Sequence, residues 1–474
     1  MSNASLKIAE QPRDEVVVQA AATSSGGSLA KLVRGGVWTL GGRIWTALAG
    51  VIGAMCWVRV LSHEAMGDYN LAQALVMYGG VCGSLGFSLL VVRLTSAHLA
   101  AGRVTLARRA LRRCLSLAMV GSLLLGATYY LVAPYVLGEY PESKYPDLLR
   151  NHLLMTAWLM IVPVSLVMAE SFRGLHNIKD SVLFGGAAFQ TVFIAGALVF
   201  YWLTGFGFEA MLWLAVAGAS ANLLLGFLRL NQEVARLVPA PTEPQGMELG
   251  TRELLSESLP LMLNLLFGMA IASLDLWIVA LFFLRDDMAN YGLAARIVLV
   301  IIMPVQVLQG VIPPMIAELH ELKKRTELER LLRGSATVAA IPSFFAMVLI
   351  LTTSYWSIPW LFGSSFSPAA WPLMILTFGQ LISVLTGSPN FLLMMTGHQR
   401  PAAVCGVLAL LLLVSLSAIC SSVWGVNGVA VAAGIALSAY KVSLAWLGWR
   451  LLHVRTWVDP TLQSVKQLLA QRRR

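Results

Sequence analysis

The sequence predicts an all-α polytopic membrane protein, with about twelve transmembrane helices in two parallel six-helix lobes. Three observations predict it. The chain is 57% hydrophobic and only 12% charged, with a mean hydropathy of +0.73. Runs of about 20 apolar residues recur along it, each long enough to cross a hydrocarbon core as a helix. A short motif is also written twice: "GDYNLAQALV" from Gly67 and "ANYGLAARIV" from Ala289. Backbone groups in lipid must be satisfied within the segment, so long apolar runs mean helices. The two-residue alternation of a membrane barrel is absent.

Taken in order, residues 1–30 read as a polar tail. The opening "MSNASLKIAEQPRDEVVVQ" carries acids early and lacks a long apolar core, unlike a signal peptide. A first lobe is expected over 31–230, with spans at 37–60, 68–93, 110–136, 152–172, 180–203 and 209–229. Residues 231–256, rich in Pro, Gly and charge, read as a solvated linker. A second lobe is expected over 257–452, with spans at 258–284, 289–317, 335–361, 370–396, 402–424 and 427–452. A basic tail follows over 453–474, where Leu462, Val465, Leu468 and Leu469 recur at helical spacing. That spacing suits either a surface-lying or a solvated helix. The five cysteines lie in apolar runs without metal-ligand spacing and read as small core residues.

Charge asymmetry orients the chain. One set of loops holds Lys31, Arg34, Arg103, Arg108, Arg109, Arg112, Arg113, Arg173, Lys179, Arg229, Lys323, Lys324, Arg325 and Arg400. The opposite set holds Arg59, Lys144, Arg150 and Arg285. The positive-inside rule makes the first set and both termini cytoplasmic. The net charge of +10 is then a fringe facing anionic headgroups, and no nucleic-acid partner is needed to explain it.

The two motif copies sit in the second and eighth spans, an even number apart, so the repeat is parallel rather than inverted. Echoes follow in register: "PYVLG" ending at Gly138 and "PWLFG" ending at Gly363, then "RGLH" with His176 and "TGH" with His398. Two lobes so related place a substrate cavity at their interface.

Ionisable residues inside spans cost at least ~2.5 kcal/mol each near the centre, so each calls for a purpose. Asp275 and Arg296 lie at matching depths of roughly 13 Å and 10 Å in adjacent helices. They read as a pair facing the cavity, with a purely structural ion pair as the plainer alternative. Lys441 is too central in its span to reach the headgroups easily and reads as cavity-lining. Arg43, in the inner part of the first span, suits either a cavity or a snorkelling role. The amides Asn222, Asn264, Gln306, Gln309, Gln380 and Asn390 can join helices or touch sugar hydroxyls. Pro304, Gly310, Pro313 and Pro314 mark the eighth span for kinks. Neither a nucleotide-binding loop nor a catalytic triad is present in the sequence, and no cofactor or metal is expected.

The chain resembles the Wzx-type polysaccharide flippases of the multidrug/oligosaccharidyl-lipid/polysaccharide exporter superfamily. The likeness covers about residues 35–450 and rests on "MGDYNLAQALVMYGGVCGSLGF" with "VVRLTSA", on "LPLMLNLLFGMAIASLDLWIVALFF", on "LFGSSFSPAAWPLMIL" and on "GVNGVAVAAGIALSAY". It implies alternating access and transfer of a lipid-linked oligosaccharide between leaflets of a bacterial plasma membrane. It also implies an anionic glycan substrate in a cationic cavity, a need that Arg296 and Lys441 match, with Arg43 as a weaker candidate and Asp275 as the counter-charge that completes the substrate-binding set. A polysaccharide polymerase and export machinery are candidate partners. Rival readings are a cation-coupled small-molecule exporter of the same superfamily, using Asp275, and a membrane polysaccharide polymerase or ligase. The latter normally carries a large outer loop, and "GEYPESKYPD" offers little chemistry.

Cysteines placed at Ser143 and Ser364 are expected to react with an impermeant thiol reagent in intact cells. One at Gly246 is expected to stay unlabelled, and its labelling would reverse the orientation.

Overall fold

A computed structural model describes residues 36–42, 44–45, 49, 63–138, 146–203, 207–238, 250–283, 285–362 and 364–461. Its main helices are α1 (His63–Gly83), α2 (Phe87–Ala100), α3 (Val104–Gly138), α4 (His152–Gly174), α5 (Ala188–Leu203), α6 (Phe208–Arg236), α7 (Thr251–Phe282), α8 (Arg285–Gln309), α9 (Ile312–Glu321), α10 (Arg325–Phe362), α11 (Ala370–Leu385), α12 (Pro389–Met395) and α13 (Gln399–Leu452). No strand occurs among the described residues. Nine helices there are long and apolar enough to cross a membrane, and α1 with α2 makes a tenth, bent span. The 54-residue α13 is itself two spans, broken at Gly425 with φ 56° and ψ −136°. The first 35 residues, residues 462–474 of the basic tail, the middle of the linker and most of the first predicted span lie outside the described residues.

Several spans that read as continuous are broken. The α1–α2 bend of 46° follows Leu85 and Gly86, both at positive φ. The freed groups are recaptured locally, since the Ser84 hydroxyl donates to the Val81 carbonyl and the Phe87 amide to Ser84. The eighth span breaks at Gly310, and α9 restarts with Pro313 and Pro314 in its first turn. There the missing amides cost nothing. The tenth span breaks at Gly387, between α11 and α12. A π-helical turn at Leu183–Ala187 with Gly186 at φ 142° precedes α5. The Asn222 side chain donates to the Phe184 carbonyl in that turn at 3.0 Å. Each break needs a partner for its backbone because hydrocarbon offers none.

The two halves are packed unequally along their length. At the end carrying the arginine-rich loops, one apolar core contains Phe87, Leu111 and Phe172 of the first half with Leu261, Met315, Leu331 and Leu392 of the second. The other two large cores belong to single halves. One joins Trp158, Phe193 and Met211; the other joins Val279, Tyr291, Val298 and Leu413. The inner half-helices α2 and α9 pack on one another, and α2 also meets α7 and α12. The lobes are therefore fused at the basic end, and beyond it they also meet where Tyr78 of α1 lies 3.5 Å from Ser273 of α7. Tyr355, Trp356, Trp360 and Trp371 are exposed around the far end of α10 and the start of α11. They fit an interfacial aromatic belt.

Gly86 is where the lobes approach closest through backbone: a Cβ there would overlap the Ser258 carbonyl of α7. Gly102 also has positive φ, yet has open space around it. Gly102→Ala should therefore cost only the left-handed backbone term, ~1–2 kcal/mol. Gly86→Ala should lower the melting temperature much further, and equal losses would show that the contact carries no weight.

Candidate functional site

The fused end is held by a polar seam. Arg93, in the second turn of α2, is 8% exposed although charged. Its guanidinium donates to Glu257 of α7, to Gln399 Oε1 at 3.1 Å and to the Met394 carbonyl at 3.3 Å. Gln399 in turn donates to the Glu257 carbonyl at 3.3 Å and accepts at its own carbonyl from Asn264 at 2.8 Å. One first-half cation thus grips three second-half segments. A buried charge with several acceptors is tolerable, and removing one of them exposes the desolvation cost. Two further ion pairs flank it: Arg103 with Glu321 at 2.8 Å and His176 with Glu318 at 3.3 Å.

Histidines gather here. His98 of α2 lies beside Arg103 and Glu321, and His320 of α9 lies beside His398, Glu321 and Arg93. With His176, four of the seven histidines in the chain line the seam. The repeated Gly–His corners at 174–176 and 397–398 flank α9 from the two lobes. Burial first, then His398 and Arg93, hold the His320 imidazole below its ordinary value of 6.5, with Glu321 opposing them.

The residues singled out from the sequence are placed differently from one another. Asp275 is 6% exposed and accepts a hydrogen bond from the Tyr291 hydroxyl at 2.7 Å. Its other oxygen has no partner among the described residues. The expected pairing with Arg296 is not formed. Tyr291, the tyrosine of the repeated motif, faces Asp275, and five residues further the helix has turned about 140° beyond one full turn. Arg296 consequently lies on an exposed face of α8, with Leu299 and Val300. Counting residues along a span gives depth but not direction around the helix. Lys441 is half-buried on the second span of α13, beside the buried Tyr440. Neither Arg296 nor Lys441 has an acidic partner among the described residues. Arg43 lies outside the described residues.

Inside the first lobe is a cavity of about 370 Å³, lined by Gln73, Trp158, Ser165, Phe189, Gln190 and Asn222 among others. None of its described lining residues is ionisable. The interiors of the two lobes therefore differ: one is neutral and amide-lined, the other carries Asp275 and Lys441.

Sequence reasoning missed Arg93. It lies in "VVRLTSA" at the inner end of an apolar run, where a lone arginine reads as headgroup fringe. A signal was present in Glu257 and Gln399, polar residues at the matching ends of two other spans.

With this geometry in view, the class is clear. Two broken-helix lobes fused at one end make a polytopic helical membrane fold that known transporters share. The fold is similar to a variant of the Vibrio cholerae MATE transporter VcmN, at TM-score 0.75 and 15% identity, covering 94% of this chain and 100% of that one. It is also similar to a MOP superfamily transporter from Pyrococcus furiosus described as having a binding pocket of reverse polarity, at TM-score 0.72 and 15% identity, over 89% of this chain and 95% of that one. An outward-facing multidrug resistance MATE family transporter matches at TM-score 0.69 and 16% identity, over 94% of this chain and 96% of that one. No functionally curated protein matches the sequence. Residues 32–320, more than half of the chain, match the family described as polysaccharide biosynthesis protein, and the chain belongs to that family.

The lowered His320 pKa has a definite sign. The folded seam binds this proton less readily than the unfolded chain, so stability is complete above about 6.5 and falls as pH drops below it. Melting temperature should decline on acidification, and less steeply in His320→Gln. Identical slopes would remove His320 from the seam's titration.

Proposed function

We propose that this protein moves a lipid-linked oligosaccharide, a repeat unit of an exopolysaccharide, O-antigen or capsule, from the inner to the outer leaflet of a bacterial plasma membrane by alternating access. The basic end is then cytoplasmic, and the conformation with lobes fused there is the outward-facing one. No covalent step is required. The observation that carries this reading is the balance of charge within the spans. Arg296 and Lys441 have no acidic partner among the described residues, whereas Asp275 is engaged by Tyr291. Cations held in a low-dielectric passage offset the desolvation of a pyrophosphate-sugar headgroup. Membership of the polysaccharide biosynthesis family supports the same substrate class. A polymerase and export machinery fit as partners, because a flipped repeat unit must be consumed on the far side.

A second reading, a cation-coupled small-molecule exporter, is favoured by one observation: a carboxylate oxygen of the buried Asp275 has no partner among the described residues. The likeness to MATE transporters fits it equally. The two separate in a deletion strain. Loss of a flippase leaves lipid-linked glycans on the inner leaflet, and loss of an exporter leaves cells sensitised to small toxic cations.

Arg296→Ala and Lys441→Ala should each cut polysaccharide export about tenfold or more at unchanged protein level, the scale of one charge-assisted contact of roughly 1.5–3 kcal/mol. Arg296→Lys should retain part of the activity, because charge survives and the planar fork is lost. Normal export by the Ala variants would withdraw the anionic-substrate reading.

A further inference from the structure

Helices α3 and α6 both pack on α4 but have little direct contact with each other. At the basic end this leaves a groove of about 470 Å³ between them, lined by Arg108, Arg112, Leu115, Met119, Phe227 and Leu230 among others. Its chemistry changes along its length. Arg108 and Arg112 stand one helical turn apart, ~6 Å along the axis. Arg108 uses one amino group on the Leu237 carbonyl, leaving its Nε buried without a partner among the described residues. Arg112 is exposed and has no acidic partner there. The floor below them is apolar, with Leu115 and Leu230 buried and Met119 exposed. Further from the basic end the same two faces continue into exposed Leu123 and Leu224.

No acid lines this groove among the described residues. The nearest one on α6, Glu233, is engaged by Arg229 and Arg236, each at 3.1 Å. Ser116 is also satisfied, donating to the Arg113 carbonyl at 2.9 Å. Two guanidiniums therefore head a slot whose lower part opens onto lipid-facing leucines. A soluble anion would leave the apolar part unfilled. A zwitterionic headgroup would bring an ammonium toward two cations with no carboxylate to receive it. Basic pockets between transmembrane helices at headgroup depth suit anionic lipid.

We infer that this groove is a binding site for one anionic glycerophospholipid, its phosphate bridging Arg108 and Arg112 and one acyl chain lying along Leu115, Met119 and Phe227. The site lies on the flank of the first lobe. It is separate from Arg296 and Lys441, and it stands whether or not the substrate is a lipid-linked glycan.

The test is native mass spectrometry of the full chain released from nanodiscs of mixed phosphatidylglycerol and phosphatidylethanolamine. Wild type should retain one phosphatidylglycerol per chain with a preference of about tenfold or more, as two surface cations provide. Arg108→Gln/Arg112→Gln should lose that preference, while Lys323→Gln, an exposed cation of the other lobe, should keep it. An unchanged preference in the double variant overturns the site. Displacement by soluble glycerol phosphate would show a plain anion site and also overturn it. So would stronger retention of polyprenyl pyrophosphate that depends on the same arginines, because the groove would then hold substrate. Should the double variant not fold, phosphatidylglycerol with a photoreactive acyl chain must label residues 115–119 of wild type. Labelling confined to other segments overturns the proposal.

Discussion

One buried guanidinium sets the state of this molecule. Arg93 is carried into the protein by the bend after Gly86, and it finds acceptors on α7, in the last turn of α12 and at the start of α13. Each acceptor belongs to the second lobe, so the interaction exists only while the lobes are closed at the basic end. Water must replace all of these partners together if the end opens. That makes closure a discrete state rather than a gradual one, because a partly satisfied buried charge is the costliest arrangement.

The helix breaks are what bring such groups together. An unbroken second span would carry Arg93 straight on toward the headgroups, and an unbroken eighth span would do the same with Glu318 and Glu321. Bending both lets α2 and α9 cross and pack. The parallel repeat gives each lobe a bent inner segment and a Gly–His corner to flank it. The seam is thus built from duplicated parts, although its ion pairs are not duplicates. Proline and glycine at these breaks also localise where backbone angles can change during transport.

The spans were legible in the sequence because lipid imposes a length and polarity that few other environments do. Gly310 with Pro313 and Pro314 marked one break, since proline leaves a chemical trace. Gly86 and Gly387 left none: a glycine inside an apolar run reads equally as a packing contact. The candidate site was legible only in part. Depth along a span follows from counting residues, which placed Asp275 and Arg296 at one level. Direction around the helix follows from packing, which gave Asp275 to Tyr291 instead. Arg93 escaped notice because its burial depends on partners more than 160 positions away in sequence.

The amide-lined cavity of the first lobe has an electrical consequence. A group that carries no charge does no work against the membrane potential, whichever way its lobe tilts. A full charge carried across the field exchanges ~2.3 kcal/mol per 100 mV. A tilt of the second lobe would displace Arg296 and Lys441, whereas a tilt of the first would move no charge among the described residues lining its cavity. On those residues the membrane potential grips the interiors of two lobes of common plan unequally, and the direction in which Arg296 and Lys441 move along the field would set which conformation an energised membrane favours.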